Sequence, residues 1–448
     1  MNTARFVRTQ SGQLDQPESR RIKQLQPLHE ESQAGHISTK ALVCSALILM
    51  LAAGVKICQP YFKHFNSIKE SRSEILSQSR DILKGSVKGV FMPEYDKNLG
   101  KIVFSFEGSD EAQLEIIKKL PKYSEIIIFV QETKNIFGMT AQRKTIPEIS
   151  KWLSTVLPEE TMGRIRFLKA NPDDVFGIYS RDMGIGTDSA FFVPFVRLEY
   201  GGNDKNPTNR FAYNLAEVGV RVVKHPTVVT GGNVYFARNV RGERIVFVGQ
   251  NSITRTKDFF RQHMIYYSEG KIKEIIRKTF DADKVIAMHQ GTKGDPVSNY
   301  LYHIDLAFAP LCDGKIALCQ SVGGAANNDR AKSYSVLLEG YRRSLQDAGF
   351  EIIDIYTDAS HIEKYQSYAN LIVFTDRDSG KKTVLLPIYP DEKGEYSLTG
   401  LNKANIEVLV GHGFKVIPIN EKAFGGSGNS RCLINQISYK EFDEYPPV

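Results

Sequence analysis

The chain has 448 residues, 42% hydrophobic and 24% charged, with a net charge of +7 spread along its length. This is the composition of a folded protein and excludes a collagen-like or wholly disordered one. Without a clustered basic run or a basic and aromatic stripe, nucleic acid is excluded as a natural partner, because phosphate binding needs gathered Lys and Arg.

Residues 1–40 are polar, lack apolar periodicity and read as a disordered tail carrying Arg5, Arg8, Arg20, Arg21, Lys23 and Lys40. Residues 41–55 then run without a charge. Extended to Phe62, with Lys56 snorkelling, the segment is long enough to cross a hydrocarbon core of about 30 Å. Residues 41–62 are therefore expected to be a transmembrane signal anchor. Its basic flank would stay in the cytoplasm and the catalytic domain would lie outside. Two alternatives stay open: a signal peptide cut near Ala52 and Gly54, giving a secreted protein, and a buried core helix. Residues 63–94 read as a polar, helical stalk or linker.

From Tyr95 onward, short β-branched strands alternate with helices. Expected strands include Lys101–Phe106, Glu125–Val130, Phe191–Glu199, Val234–Ala237, Arg244–Gly249, His303–Phe308, Lys315–Cys319, Lys382–Ile388 and Arg431–Ile437. Expected helices include Asp110–Leu120, Thr145–Val156, Asp258–Lys278 and Asp329–Ala348. A strand, loop, strand, helix, strand unit recurs at roughly 60 to 80 residues, which predicts one large α/β domain of related modules over 95–448. There are five cysteines and no CxxC pair, so a cysteine-based zinc site is not expected. The Asp313-Gly314 turn should set Cys312 opposite Lys315 and away from Cys319.

Four short segments could carry chemistry: Tyr179-Ser180-Arg181-Asp182-Met183-Gly184, Thr230-Gly231-Gly232-Asn233, His303-Ile304-Asp305, and the Gly-rich stretch from Gly425 to Cys432. Each alone has an ordinary reading. Arg181 and Asp182 could be a loop ion pair, Thr230 to Asn233 a turn, His303 and Asp305 a surface pair on one strand face, and Cys432 an inert buried thiol.

Their order is more specific. RDxG, GGN, HxD and a Gly-rich loop ending in cysteine resemble the pentein superfamily of guanidino-modifying enzymes. A fifth segment, Tyr368-Ala369-Asn370 followed by Pro387-Ile388-Tyr389, resembles the stretch before the last module in its agmatine and bacterial peptidylarginine branches. The resemblance spans roughly Val175 to Gln436. It implies an α/β propeller of about five strand-helix modules around an axial site. It also implies Cys432 as nucleophile, His303 as general acid and base, and Asp182 and Asp305 as guanidinium-binding carboxylates. Asn370, Arg181, Thr230 and Asn233 would line the substrate site.

Thr230 stands where agmatine and arginine deiminases usually carry an acid, no proline follows Gly184, and the last motif reads GGSGNSRC; Thr230 with TGGN is similar to the bacterial Porphyromonas-type peptidylarginine deiminases. Tyr200 to Asp204 lacks the arginine with which those enzymes grip a terminal carboxylate. The expected activity is hydrolysis of peptidyl-arginine to citrulline and ammonia, on peptide or protein partners. The alternatives are agmatine or another small guanidine, an amidinotransferase, and an inactive guanidinium-binding or interaction protein. No organic cofactor or metal is expected, since no EF-hand-like loop is present.

Overall fold

The computed structural model describes residues 69–437 except 88, 107–110, 137–138, 143, 171–179, 188–189, 195–209, 292–302, 323–328, 365, 392–393 and 422–429. All of them belong to the compact unit Asn66–Val448. The tail expected at 1–40 and the membrane segment expected at 41–62 lie outside the described residues. Among those described, no helix is long and apolar enough to cross a membrane.

Among the described residues the α/β repetition takes the form of five small sheets sharing one connectivity, in which a first strand runs antiparallel to a second and a third pairs parallel with the second. Unit one is Ile185–Gly186, Phe191–Pro194 and Val222–His225. Unit two is Val234–Arg238, Arg244–Gly249 and Lys284–Met288. Unit three is Phe308–Cys312, Lys315–Ser321 and Glu351–Thr357. Unit four is Ile372–Thr375, Lys382–Ile388 and Lys415–Asn420.

Unit five draws on both ends of the domain. Asn435–Ile437 runs antiparallel to Lys101–Phe106, which pairs parallel with Glu125–Val130, and Ile165–Lys169 adds a further parallel strand. Parallel pairing needs a crossover, and helices supply it: Glu111–Lys119 in unit five, Gln250–Gln262 and Glu269–Thr279 in unit two, Asp329–Asp347 in unit three, and Gly400–Gly411 in unit four.

The middle strands are apolar on both faces because they are covered on both faces; all six residues of Lys101–Phe106 are buried. Helix starts follow local chemistry. Thr145 and Glu148 form a reciprocal capping box before Ile146–Val156, and Ser268 caps Glu269–Thr279. At Asp313-Gly314 the register sets Cys312 against Lys315. Gly314 has φ +75°, and a Cβ there would sit 2.7 Å from Val240 Cγ1.

Successive units share apolar clusters. Phe192 of unit one packs with Phe236 and Val246 of unit two, and Phe247, Phe308 and Leu386 join units two, three and four. Phe374 and Leu385 of unit four meet Ile102 and Phe104 of unit five, whose Val103 and Phe129 return to Phe191 and Val193 of unit one.

The stretch expected as a stalk is helical over 69–83. Its Ile75 and Ile82 are buried in the cluster formed with unit two. Farther on, a 3₁₀ turn at Glu94–Asp96 is buried at Glu94 and Tyr95. The Tyr95 hydroxyl donates to Asp313 Oδ1 at 2.8 Å and accepts from the Arg238 N–H at 2.9 Å.

Two expected strands are corrected. His303–Phe308 is a 3₁₀ turn at Ile304–Leu306, with the strand starting at Phe308, and Arg431–Ile437 is a 3₁₀ turn at Ser430–Leu433, with the strand starting at Asn435. His303 to Leu306 alternates polar and apolar as a strand does, and Arg431–Ile437 holds the apolar run Cys432-Leu433-Ile434. Their polar side chains are buried, however, and the N–H groups of Ile304, Arg431 and Cys432 bond to side chains of neighbouring units instead of a ladder. At three residues per turn, positions two apart diverge by roughly 120°, so His303 and Asp305 do not share one face as strand residues would.

Candidate active site

Every unit enters its first strand through a tight turn, and the candidate residues lie in these turns. Ser180–Met183 precedes unit one, Gly231–Asn233 unit two, Ile304–Leu306 unit three and Ser430–Leu433 unit five. In unit four a turn at 368–369 leads to Asn370.

Hydrogen bonds tie the five entries together in cyclic order. Arg181 Nε donates to the Gly231 carbonyl at 3.1 Å, and the Ile304 N–H donates to Asn233 Oδ1 at 3.3 Å. Asn370 Nδ2 donates to the Asp305 carbonyl at 3.3 Å, and its Oδ1 accepts from the N–H groups of Arg431 at 2.9 Å and Cys432 at 3.3 Å. Asn435 Nδ2 then donates back to the carbonyls of Ser180, Arg181 and Gly184. A side-chain amide does the work of a strand ladder here, since a 3₁₀ turn leaves peptide groups that must find partners when buried.

Within this frame the predicted residues come together. Cys432 Sγ lies 3.8 Å from Asp305 Oδ2 and 3.4 Å from Asn370 Nδ2. His303 Nε2 lies 3.7 Å from Asp182 Oδ1. Because His303 and Asp305 leave the same turn, residues 303–305 join the two pairs. All five side chains are at most 3% exposed.

Gly232 makes room for the imidazole: a Cβ there would stand 2.3 Å from His303 Nδ1. Asn233 Oδ1, besides holding Ile304, accepts from Gln290 Nε2 at 2.9 Å. Thr230 is fully buried just before that turn. Tyr179, Tyr200 to Asp204 and Gly425 to Asn429 lie outside the described residues. The other two described cysteines sit in different surroundings. Burial pushes the Cys319 and Cys312 thiols upward, and Cys319 Sγ contacts neutral oxygens at Leu306 and Ser367.

Two residues that motif reading passed over hold the centre. Arg431, fully buried, donates from Nη1 to Asp305 Oδ2 at 2.6 Å, and from Nε and Nη2 to the two oxygens of Glu94 at 3.0 and 2.7 Å. Its guanidinium also stacks over Tyr235, 3.9 Å from the ring centre. Glu94 is paired with Arg181 as well. Burial and repulsion from Arg431 bring Arg181 down to about 9, so it remains a cation at neutral pH. Among the described residues, Glu94 thus pairs with both Arg181 and Arg431, and Asp305 with Arg431.

A sequence signal for Glu94 exists only in hindsight: Arg181 and Arg431 each adjoin a site residue, and a buried arginine needs a carboxylate. A third missed group is Glu421, buried, whose Oε2 accepts from the Ser430 N–H at 3.1 Å and from the Ser430 hydroxyl. Burial raises its carboxyl to about 7.

A family model of Porphyromonas-type peptidyl-arginine deiminase matches residues 93–437. The chain belongs to that family. It is a hydrolase of C–N bonds of the arginine deiminase type. Solved structures carry the same pentein-type fold. A Porphyromonas gingivalis protein assigned as an arginine deiminase is 15% identical, with TM-score 0.56 over 78% of this chain and 98% of its own. Agmatine deiminase of Enterococcus faecalis is 14% identical, with TM-score 0.56 over 80% and 97%. Agmatine deiminase of C. jejuni is 14% identical, with TM-score 0.51 over 78% and 96%. No curated protein matches the chain.

Proposed function

We propose that this family member hydrolyses the guanidinium of peptidyl-arginine to citrulline and ammonia through a covalent intermediate on Cys432. The observation that carries the reading is the contact of Cys432 Sγ with Asp305 at 3.8 Å in a buried site holding His303 and Asp182 at 3.7 Å from each other.

In this scheme Asp182 and Asp305 accept N–H bonds from the substrate cation and fix its plane. The Cys432 thiolate attacks the guanidinium carbon, forming an S–C bond. The C–N bond then breaks as His303 protonates the departing ammonia, leaving a thiouronium. His303 next takes a proton from water, whose oxygen bonds to the same carbon. The C–S bond breaks, thiolate returns and a ureido group remains. Asn370, Arg181 and Asn233 hold the turns that carry these groups, and Thr230 lines the entry to unit two. The five units would surround this site as the modules of a propeller.

A small-guanidine substrate such as agmatine is the second reading, favoured by the similarity of fold to two agmatine deiminases. Ammonia release from a capped arginine peptide and from agmatine separates the two. Turnover of agmatine alone would reject the peptide reading, and a Cys432→Ala variant that still turns over either would reject the mechanism. The apolar segment 41–62 would anchor the domain at a membrane, with the catalytic part outside the cytoplasm. Partitioning of the full chain into the aqueous phase without detergent would count against that.

A further inference from the structure

The geometry points to Arg431 as a positioning residue for substrate recognition: the protein's own guanidinium engages one oxygen of Asp305 and leaves the other for an incoming guanidinium. This rests on the deiminase reading of the site. Asp305 is fully buried, its Oδ2 receives Arg431 Nη1 at 2.6 Å, and its Oδ1 has no hydrogen-bond partner among the described residues. A buried carboxylate oxygen without a partner is costly unless a ligand completes it.

Arg431 is itself held from three sides. Glu94 binds two of its nitrogens and Tyr235 lies under its plane. Glu94 comes from a segment 337 positions away in the chain. So fixed, the fork cannot swing away, and the carboxylate orientation it sets is preserved whether or not substrate is bound. Arginine suits this task better than lysine, because three divergent N–H groups in one plane reach Asp305 and both Glu94 oxygens together. Arg431 needs no contact with substrate; its effect passes through Asp305.

Calorimetric binding of an N-acetylated, C-amidated arginine peptide to the full chain in the Cys432→Ser background tests this without turnover. Adding Arg431→Lys, which keeps the charge and loses the fork, should weaken binding about ten-fold, and Arg431→Gln about a hundred-fold. Should Arg431→Gln fail to melt cooperatively, the lysine variant decides alone. With Cys432 intact, the same lysine variant should raise KM while kcat stays within about three-fold of the parent. Unchanged binding and KM with lysine, or a loss confined to kcat, would overturn the inference. Absence of ammonia release by the parent protein from both peptide and agmatine would instead overturn the deiminase reading.

Discussion

Asn370 accepts the backbone N–H of Cys432 at 3.3 Å, and its Nδ2 lies 3.4 Å from that cysteine's sulfur. One amide therefore fixes both the turn that carries the nucleophile and the side chain itself. Asn370→Ala leaves two buried N–H groups, those of Arg431 and Cys432, without this acceptor. Each such loss costs about 1–3 kcal/mol, and displacement of the reacting atom can lower the rate about 100-fold. The expected outcome is a lower melting temperature together with a drop in kcat/KM of that order. An active, equally stable Asn370→Ala protein would contradict the positioning assigned to it.

Gly232 backs the imidazole of His303 so closely that a Cβ would stand 2.3 Å from Nδ1. In Gly232→Ala the ring must therefore move. Because His303 is the proposed proton carrier, kcat should fall by at least about 100-fold. The loss should fall on ammonia release, with the far-ultraviolet circular dichroism of the fold retained. Wild-type kcat in this variant would place His303 outside the chemistry.

Glu421 gives a pH signature in stability. Its ordinary value is 4.5 and burial raises it to about 7. Between those values the folded state keeps a proton that the unfolded chain releases. The stabilising contribution of this group is thus fully present below about 4.5 and is lost as pH rises toward 7. Glu421→Gln retains an oxygen for Ser430 and cannot ionise. Its melting temperature relative to the parent should rise between pH 5 and pH 8, and a difference independent of pH would refute the assignment.

The helix over 69–83 is part of the folded body through Ile75 and Ile82. Ile75→Ala or Ile82→Ala should each destabilise the domain by about 2–5 kcal/mol, the usual range for truncating a buried aliphatic side chain. Chemical denaturation of a protein starting at residue 63 measures this. An effect below 0.5 kcal/mol, the size usual for surface substitutions, would return the segment to the stalk expected from its polar composition.

Much of the site was legible in order of residues. That Asp182, Asn233, His303, Asp305, Asn370 and Cys432 belong together was readable only from the order of five short motifs and its resemblance to the pentein pattern, since each motif alone has an ordinary reading. The strands Lys101–Phe106, Glu125–Val130, Arg244–Gly249 and Lys382–Ile388 were legible as well, since a run of β-branched and aromatic residues covered on both faces declares itself locally.

Other features were settled only by the packed chain. The local pattern of His303–Phe308 and Arg431–Ile437 cannot reveal that neighbouring units accept the N–H groups of Ile304, Arg431 and Cys432. Nor does local pattern show that Asn435–Ile437 returns to Lys101–Phe106, or that Glu94 sits between Arg181 and Arg431. The physical reason is the same each time. Propensity and periodicity are written into adjacent residues, whereas a buried charge or peptide group takes as its partner whatever the distant chain brings within 3 Å.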